Sequence, residues 1–391
     1  MSLHMLGDHL RRGGAATLNH PATYGVCDGA VVAPARYAGT SGSEFVFETR
    51  YVDGQFRPTV LIDSKGSQSN RSEDGLLAAR EIGEPASLVP TVAVRYSSRT
   101  LLDLELPHRI YDAHVRASTE RGVPVVQQGW YRALRDAPMP DLSPLFCAAP
   151  ATLAFGGWDS SRKRGQVRLR SLYVSELFGV VAEGDPVSRR SGARLDPFGQ
   201  DFHIAPDEYK QLLDVQRDHM SDKTVAKLDK EIATAEKKGN GTLVSAAPLG
   251  LGGVRPATDA PFGVSVPEVR RARCYSLAGL RRLRFGGTED EDVAARTALL
   301  ALLLLGAAYA DADPDIRAYC DVAAPQGQTL LDTGPVDLDL SIEACTAFLA
   351  DSIAALPERL AWSGQMIELD GKQSLERGAV AEVAEDASAL A

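Results

Sequence analysis

The longest apolar run in the chain, from Ala298 to Ala310, constrains the fold more than any other stretch. It is shorter than the roughly 20 residues that a helix needs to cross a bilayer, and it lies within a helix-like pattern from about Thr288 to Asp311. An apolar helix of this kind must be enclosed by other parts of the protein. The chain of 391 residues is long enough to bury a substantial core around it. We therefore expect a folded core with a buried helix and no membrane-spanning segment.

Strand-like and helix-like segments alternate along the chain, separated by long insertions. Two runs rich in β-branched and aromatic residues predict a β-hairpin over residues 44–63 that turns at Asp53 and Gly54. The runs LVPTVAVRYSS, TLAFGGW and IRAYCDV are further strand candidates. Helical composition covers most of residues 207–239, with a break near Ser221. Together these patterns predict an α+β fold in which helices cover one face of a sheet.

The polar stretch LIDSKGSQSNRSEDGL follows the second strand of the predicted hairpin. Asn70, with Glu73 three residues later, resembles a capping box and predicts a helix that begins there and ends at Gly83. Unpaired N–H groups at the start of this helix, flanked by Lys65 and Arg71, would suit a bound phosphate. A capped helix after a solvated loop explains the same residues. The stretch by itself leaves the two interpretations open.

The net charge of −10 argues against a protein that wraps nucleic acid over its whole surface, because phosphate binding depends on positive charge. The charge is unevenly distributed, however. Eight Lys or Arg stand against three acids from Ser160 to Arg194, and six stand against one from Glu268 to Arg284. Because salt screens exposed charges beyond about 10 Å, a basic groove can coexist with an acidic surface elsewhere.

An aromatic residue precedes a dense basic run in FGGWDSSRKRGQVRLR, from Phe155 to Arg170. Aromatic side chains stack on bases while Arg and Lys hold phosphates, which is the division of labour in single-strand binding. A buried Trp158 in a strand, followed by an exposed hairpin, is the simpler interpretation and stays open. The later run VRRARCYSLAGLRRLRFGG adds positive charge, although its alternating basic residues would equally suit the solvent-facing side of a strand.

Sequence patterns for catalytic, metal or cofactor sites are weak. The chain has no GxSxG nucleophile motif, and PLGLGGVRP has neither a P-loop ending nor the GxGxxG order. The acidic run from Glu289 to Asp292 stands at a predicted helix start, where negative charge stabilises the helix. The five cysteines and seven histidines are scattered, without the close pairs of a metal or disulfide site. We expect no metal and no cofactor and, because MSLHMLGDHLRRGG shows no secretory signal, a cytoplasmic protein.

Two of these segments resemble motifs of one protein family. DSKGSQSNRSE is similar to the Asp/Glu-Ser-x-x-Ser-x-x-Asn-Arg-x-Glu segment of the type I-U (also called I-G) CRISPR-associated RAMP family. FGGWDS, an arginine after it and the pair Ser175 and Glu176 in RLRSLYVSELFGV resemble the family's FGxWDS and Arg-x-x-x-x-Ser-Glu stretches. GGAATLNHPATYG is also similar. The matches span roughly Gly13 to Val181, and Ser72 departs from the family by standing where an apolar residue is expected.

The resemblance implies a backbone subunit of the Cascade surveillance complex. It implies an RRM-like (ferredoxin-like) α+β palm over residues 1–365, with finger and thumb insertions of which about 184–256 is a thumb or helical arm. Residues 366–391 would be an acidic C-terminal tail. Copies would stack head to tail along a guide RNA (crRNA), in an open filament whose length the RNA sets. Target DNA would be read through pairing with the guide, and other Cascade subunits and a recruited helicase-nuclease would complete the antiviral complex.

The resemblance also implies that this subunit grips the RNA backbone without cutting it, so no catalytic residue is expected. Carried over residue by residue, the RNA contacts are Lys65, Asn70 and Arg71 in the first motif and Arg170 in the second. Charge alone adds a further set of basic residues, namely Arg162, Lys163, Arg164, Arg168, Arg189 and Arg190.

The main alternative is an enzyme, a RAMP-type endoribonuclease that acts on guide or target RNA. Such an enzyme needs a general base, and Asp28 and Asp63 would be its obvious carboxylates. Neither has a histidine or a second acid placed beside it in sequence. A stand-alone RNA chaperone, which would bind RNA without stacking of copies, is the third interpretation.

Overall fold

The structure is a computed structural model of the chain. It describes residues 2–26, 31–39, 42–159, 168–181, 186–189, 196–198, 202–239, 241–253 and 261–376. The chain divides into two compact units: unit 1 comprises Met1–Pro186 and Gly263–Lys372, and unit 2 comprises Val187–Phe262 and Gln373–Ala391. Helices and strands are mixed along the described residues, which confirms the predicted α+β class.

The α-helices are α1 (Lys65–Ile82), α2 (Ala113–Arg116), α3 (Gly129–Arg135), α4 (Ser143–Ala148), α5 (Pro150–Phe155), α6 (Pro206–Gln216), α7 (Asp222–Lys238), α8 (Leu277–Leu280), α9 (Glu289–Ala312) and α10 (Ile342–Ala354). Short 3-10 helices cover Leu3–Leu10, Ala86–Leu88, Asp103–Glu105, Arg109–Tyr111, Val125–Gln127, Arg217–His219, Ala247–Leu249 and Glu358–Leu360. The strands are β1 (Leu18–Asn19), β2 (Ala22–Tyr24), β3 (Val31–Val32), β4 (Arg36–Gly39), β5 (Gly42–Phe45), β6 (Phe47–Val52), β7 (Gln55–Asp63), β8 (Thr91–Arg95), β9 (Thr100–Leu102), β10 (Thr119–Glu120), β11 (Val123–Pro124), β12 (Gly157–Trp158), β13 (Arg168–Leu169), β14 (Tyr173–Val180), β15 (Val187–Arg189), β16 (His203–Ile204), β17 (Val244–Ser245), β18 (Pro261–Ser265), β19 (Val269–Tyr275), β20 (Leu330–Leu331), β21 (Gly334–Pro335) and β22 (Met366–Asp370).

The main sheet of unit 1 is antiparallel and has the order β21-β20-β1-β19-β14-β7-β6, with β2 also paired to β19. Ser175 of β14 lies opposite Arg273 of β19, so the two side chains point to the same face. Ser175 contacts Gln68 in α1, and Arg273 contacts Asp311 in α9. Both helices therefore cover the same face of the sheet, as predicted.

Helices α1 and α9 cross at two glycines. A Cβ on Gly75 in α1 would lie 2.6 Å from the carbonyl oxygen of Gly306 in α9 and 2.9 Å from the Cβ of Tyr309. No ordinary side chain fits such a close crossing without a backbone shift. The small residues therefore set the distance between the two helices that cover the sheet.

Helix α9 is the buried helix that the apolar run predicts. Its N-cap is Thr288, and the carboxylate of Glu291 accepts from the Thr288 amide at 2.7 Å, which completes a capping box. By length and composition α9 could span a membrane, but 72% of its apolar window is buried inside the protein. That burial is typical of a core helix.

A second sheet of unit 1 has the order β11-β10-β22-β8-β9, in which β22 runs parallel to β8. Strand β22 begins at Met366, the first residue of the predicted acidic tail. Its Leu369 is fully buried. The first residues of that predicted tail are therefore part of the folded unit, because they complete the pairing of β8.

The predicted hairpin is confirmed, with Asp53 and Gly54 at its turn in the left-handed conformation that tight hairpins need. Two other strand predictions are wrong. Most of TLAFGGW forms the end of α5, which begins at Pro150 and is buried throughout. A short apolar run does not show whether its residues follow the spacing of a helix or of a strand, so it was open to this error. IRAYCDV is irregular, and the backbone carbonyl of its first residue, Ile316, accepts a hydrogen bond from Arg71.

Unit 2 contains a helical pair, as the composition of residues 207–239 predicts. Ser221 is the N-cap of α7 and accepts from the Thr224 amide, which explains the predicted break. The short strands β16 and β17 pair antiparallel. The core of the unit consists of Tyr209, Leu213, Leu228, Ile232, Ala235, Val244 and Ala246.

Candidate nucleic-acid interface

Helix α1 starts earlier than the sequence pattern predicts. Its N-cap is Ser64, whose Oγ accepts from the Ser67 amide at 3.3 Å, and the helix begins at Lys65. The predicted capping box at Asn70 and Glu73 is therefore wrong, because both residues lie inside the helix. The helix ends at Ile82 with Gly83 as its C-cap, as predicted. The polar stretch is thus the first part of a helix and not a loop.

Asp63, at the end of β7, is completely buried. One carboxylate oxygen accepts from Gln68 Nε2 at 2.7 Å and from Arg71 Nε at 3.0 Å, and the other accepts from Arg317 Nη2 at 2.8 Å. Gln68 in turn accepts from Ser175 Oγ at 2.9 Å. This network ties β7, α1 and β14 to the segment that follows α9.

Arg71 is committed to the same network. Besides Asp63, its guanidinium donates to the backbone carbonyls of Asp315 and Ile316. Every nitrogen of the guanidinium thus has a partner within the fold. The geometry favours a structural role for Arg71, and RNA contact by this side chain remains a prediction.

Lys65 and Asn70 are more accessible than Arg71. The Lys65 side chain is 65% exposed, and its Nζ lies 4.0 Å from Glu176 Oε2. Glu176 is shared with Arg50, which donates to it at 2.9 Å and stacks on Phe178. Asn70 is exposed and lines a cavity of about 500 Å³ beside α1. Lys65 therefore keeps its charge available at the start of a helix, where the helix dipole also favours an anion.

Glu73 joins the first sequence motif to the second. Its carboxylate accepts two hydrogen bonds from Arg109, at 2.6 and 2.7 Å, and Arg109 also donates to the carbonyl of Gly156 at 3.0 Å. Burial raises the pKa of the Glu73 carboxyl, while the charge of Arg109 acts in the opposite direction. The base of the FGGW segment is thus fixed to α1 through one arginine.

The FGGW segment leads into a small hairpin formed by β12 and β13. Trp158 lies opposite Arg168 and is 44% exposed as a residue, and the Arg168 guanidinium carbon is 5.3 Å from the centroid of its ring. Gly156 has a φ of 92°, and a Cβ there would lie 2.7 Å from the Ser171 amide nitrogen. The simpler interpretation of a buried Trp158 is wrong, since an aromatic face and a cation are presented together.

The other predicted RNA contacts lie in three different parts of the chain. Arg170 is exposed and donates to Ser276 Oγ at 2.5 Å. The backbone of Arg189 lies in β15 of unit 2, and nothing is described of its side chain. The remaining predicted contacts lie outside the described residues, namely Arg162, Lys163, Arg164 and Arg190.

Residues 21–183 match a family model described as CRISPR-associated protein GSU0053. Over these residues the chain is similar to that CRISPR-associated family. The match covers less than half of the chain, but it contains the DSKGSQSNRSE and FGGWDS motifs and the Ser175-Glu176 pair. It confirms the resemblance stated from the sequence. No curated protein matches the chain.

Within residues 21–183, the motif residues converge on α1. Asp63, Gln68 and Ser175 form the buried network, and Glu73 reaches Gly156 through Arg109. The family motifs thus mainly organise the fold, and they place the Trp158 hairpin at its surface.

Sequence reasoning missed Arg109 and Arg317, both of which bind motif carboxylates. Each is a single arginine outside the motifs, 36 residues after Glu73 and 254 after Asp63 respectively. No local pattern marks such partners, because only the folded chain brings them together. The available signal was Asp63 itself, an acid at the end of an apolar strand, because a carboxylate buried there needs a cation as its partner.

The basic residues of the run VRRARCYSLAGLRRLRFGG do not all face solvent, as the sequence pattern would have allowed. Arg271 and Arg273 of β19 are buried against Asp311 of α9, with Arg273 Nη1 at 2.8 Å from its carboxylate. Burial disfavours ionisation of Asp311, but the two arginines outweigh it and lower the pKa of this carboxyl. The exposed side of the strand carries Arg270, which pairs with Asp53 at 2.7 Å. Much of this positive charge is therefore neutralised within unit 1.

The described residues contain no group of three or more potential ligands that could hold a metal ion. Asp63, one of the two carboxylates of the alternative enzyme, has both oxygens occupied by cationic or amide donors. Asp28 lies outside the described residues. The described surface can stack the ring of Trp158 on a base. Its cations Arg168, Arg170 and Lys65 can bind phosphate.

Proposed function

We propose that this protein is a non-catalytic guide-RNA-binding backbone subunit of a type I-U/I-G CRISPR effector complex. The observation that carries the proposal is the hairpin in which exposed Trp158 and Arg168 stand together, inside a segment that matches a CRISPR-associated family. Stacking on a base does not depend on which base it is, because every base has a π-face. Such a surface suits a guide whose sequence changes from one complex to another.

The charge arrangement supports binding to the RNA backbone. Arg170 follows the hairpin, and Lys65 stands at the N-terminus of α1. β7 ends opposite Leu177 while β14 begins at Tyr173, so Lys65 and Arg170 flank the same end of the main sheet. Cations at that end bind phosphates independently of sequence. The net charge of −10 then resides on surfaces that the RNA does not touch.

An RRM-like palm is part of the proposal. In chain order, β1, α1, β14, β19, α9 and β20 follow the βαββαβ pattern of such a palm, interrupted by insertions. The four strands are neighbours in the order β20-β1-β19-β14 within the antiparallel sheet. The segment Val187–Phe262 of unit 2 lies between β14 and β19 in sequence, where an insertion such as a thumb would stand.

A subunit that binds the RNA backbone independently of base sequence can bind at successive positions along the same RNA. Copies of the subunit stack head to tail on the guide RNA, and the RNA ends the filament. The bases left free pair with target DNA. Other Cascade subunits and a recruited helicase-nuclease supply the remaining activities of this cytoplasmic complex.

The test is RNA binding by the full chain with two unrelated single-stranded RNAs at several salt concentrations, measured by fluorescence anisotropy. Trp158→Ala should weaken binding of both RNAs by about 10-fold, because one stacked base contributes about 1–3 kcal/mol. Trp158→Leu should lose nearly as much, since it keeps apolar bulk but no aromatic face. Arg168→Gln should reduce the slope of log K against log salt by about 0.7, the contribution of one phosphate contact for a single strand.

Arg95→Gln is the matched control for Arg168→Gln, because Arg95 is exposed and lies in the second sheet beside Glu368. It should leave RNA binding unchanged. Incubation of the protein with single-stranded RNA and Mg²⁺ addresses the alternative enzyme. Stable binding without cleavage is expected, whereas cleavage would contradict a non-catalytic subunit.

A further inference from the structure

Helix α7 of unit 2 sorts its charges onto different sides. At about 100° per residue, its five lysines fall within about 100° of the helix circumference, namely Lys223, Lys227, Lys230, Lys237 and Lys238. All five are exposed. The opposite side carries Leu228 and Ile232, which pack into the core of the unit. We call these five residues the lysine stripe.

The acids of α7 are mostly kept away from the stripe. Asp229 faces the other way and accepts two hydrogen bonds from Arg217, at 2.9 and 3.0 Å. These hydrogen bonds lower the pKa of the Asp229 carboxyl, so it stays ionised and paired. By contrast, the stripe lysines form no ion pair among the residues that the structure describes. Their charge is therefore available to a ligand.

A groove runs beside the stripe. It has a volume of about 500 Å³ and is bordered by Lys227, Lys230 and Lys238 on α7. The hydroxyl-bearing residues Thr234, Thr242 and Ser245 also line it, and Glu231 is the acid at its border. The Thr234 and Thr242 hydroxyls already donate to the carbonyls of Lys230 and Gly239. The lysine ammonium groups, with the Ser245 hydroxyl, are therefore the donors in this groove that can bind phosphate oxygens.

We propose that the lysine stripe and its groove bind the phosphodiester backbone of a single-stranded nucleic acid, as a second contact surface separate from the Trp158 hairpin. The inference rests on the proposed function in taking nucleic acid as the polyanion. The stripe is about 22 Å long at 1.5 Å per residue, which matches a run of several phosphates. Its binding is independent of base sequence because lysine meets a phosphate as a point charge.

A repeating anion fits this surface better than an acidic protein patch does. Successive lysines of the stripe stand four, three, seven and one residues apart along one helix, and a nucleic acid strand carries one charge per nucleotide. Seven of the ten residues that line the groove are charged or hydroxyl-bearing, whereas the core of an interface between proteins is depleted of charged residues. RNA and DNA strands share the phosphate chemistry, so the experiment tests both.

The experiment compares three full-length variants with the wild-type chain. The triple variant Lys227→Gln, Lys230→Gln, Lys238→Gln removes three charges that border the groove. The corresponding triple Lys→Arg variant keeps the charges, and Lys210→Gln on α6 removes an exposed lysine outside the stripe. Each is titrated with homopolymers of RNA and of DNA of about 30 nucleotides, longer than the roughly 4–16 nucleotides that a single-strand fold covers.

The triple Gln variant should bind both homopolymers at least about 10-fold more weakly at low salt. Its slope of log K against log salt should fall by about 2, since each phosphate contact contributes about 0.7 for a single strand. The Arg variant and Lys210→Gln should bind like the wild type.

If the triple Gln variant binds nucleic acid as tightly as the wild type while Trp158→Ala binds more weakly, the proposal for the lysine stripe is wrong and the proposed function still holds. A wild-type chain that binds neither homopolymer would overturn both. A loss confined to RNA or to DNA would overturn recognition through phosphate alone. Altered self-association with unchanged nucleic-acid binding would identify a protein surface as the ligand instead.

Discussion

Asp63 is completely buried, and its two oxygens accept hydrogen bonds from Gln68, Arg71 and Arg317. At the scale of single residues, such pairing decides which charges remain available to a ligand. Arg71 stands in the DSKGSQSNRSE motif, but its guanidinium hydrogen-bonds to Asp63 and to two backbone carbonyls within the fold. Lys65 is six residues earlier in sequence and remains exposed. The same motif therefore contains residues of opposite roles.

Asp63→Asn should destabilise the protein by about 3–5 kcal/mol, because it leaves two arginines without their buried counter-charge. Urea unfolding followed by circular dichroism measures the difference. Asp74→Asn, an exposed acid on the same helix, is the control and should change stability by no more than about 0.5 kcal/mol. Equal stability of the two variants would show that the buried network does not hold the sheet to α1.

His20 makes stability depend on pH. Burial, together with the charges of Arg271 and Arg273, lowers the pKa of its imidazole to about 4, although Asp311 acts in the opposite direction. The unfolded chain takes up the proton near the ordinary pKa of about 6.5, so the folded state loses stability as the pH falls from 6.5 towards 4. The loss should reach about 3 kcal/mol.

His20→Gln removes this titration. Its free energy of unfolding, measured by urea at pH values between about 7 and 4, should fall less steeply than that of the wild type. Parallel pH profiles of the two proteins would contradict the assignment to His20.

At the scale of elements, the crossing of α1 and α9 depends on backbone contact. Gly75 and Gly306 allow the approach, and the buried network of Asp63 then connects α1 to β7 and β14. The Trp158 hairpin depends on the same helix, because Arg109 joins Glu73 to Gly156. The position of α1 therefore controls the candidate RNA surface.

Gly75→Ala should destabilise the protein by about 1–3 kcal/mol or more, because the added methyl meets backbone atoms of α9. Gly66→Ala is the matched control in the same helix, since the nearest atom to its Cβ is Ser64 Oγ at 3.9 Å. It should be neutral or stabilising by up to about 1 kcal/mol, as alanine is the better helix former. Thermal unfolding of both variants tests this, and equal loss in both would exclude the crossing as the cause.

At the scale of the whole molecule, the chain combines net negative charge with local positive surfaces. The Trp158 hairpin belongs to unit 1 and the lysine stripe to unit 2. If copies stack along the guide, as proposed, the number of bound copies should grow with RNA length. Sedimentation velocity with RNAs of increasing length measures this, and a single copy on every RNA would contradict stacking and favour a stand-alone RNA chaperone.

The sequence by itself determined the features that depend on neighbouring residues. The turn at Asp53 and Gly54, the capped start of α9 at Thr288 and the break at Ser221 all follow local rules of backbone conformation and capping. The family match over residues 21–183 is likewise a property of sequence, as the motifs showed. The start of α1 was missed because Ser64 and Asn70 are both good caps, and only the end of β7 decides between them.

Only the tertiary structure decided which charged residues stay free. Arg71 and Arg317 share Asp63 although 254 residues separate Asp63 from Arg317, and the buried Arg271 and Arg273 meet Asp311 across the space between sheet and helix. Trp158 is exposed in a hairpin whose base is fixed at Gly156, which has a positive φ and accepts a hydrogen bond from Arg109. Ion pairs and burial depend on distance in space, which no local pattern records, so the candidate RNA surface emerges only when the chain is folded.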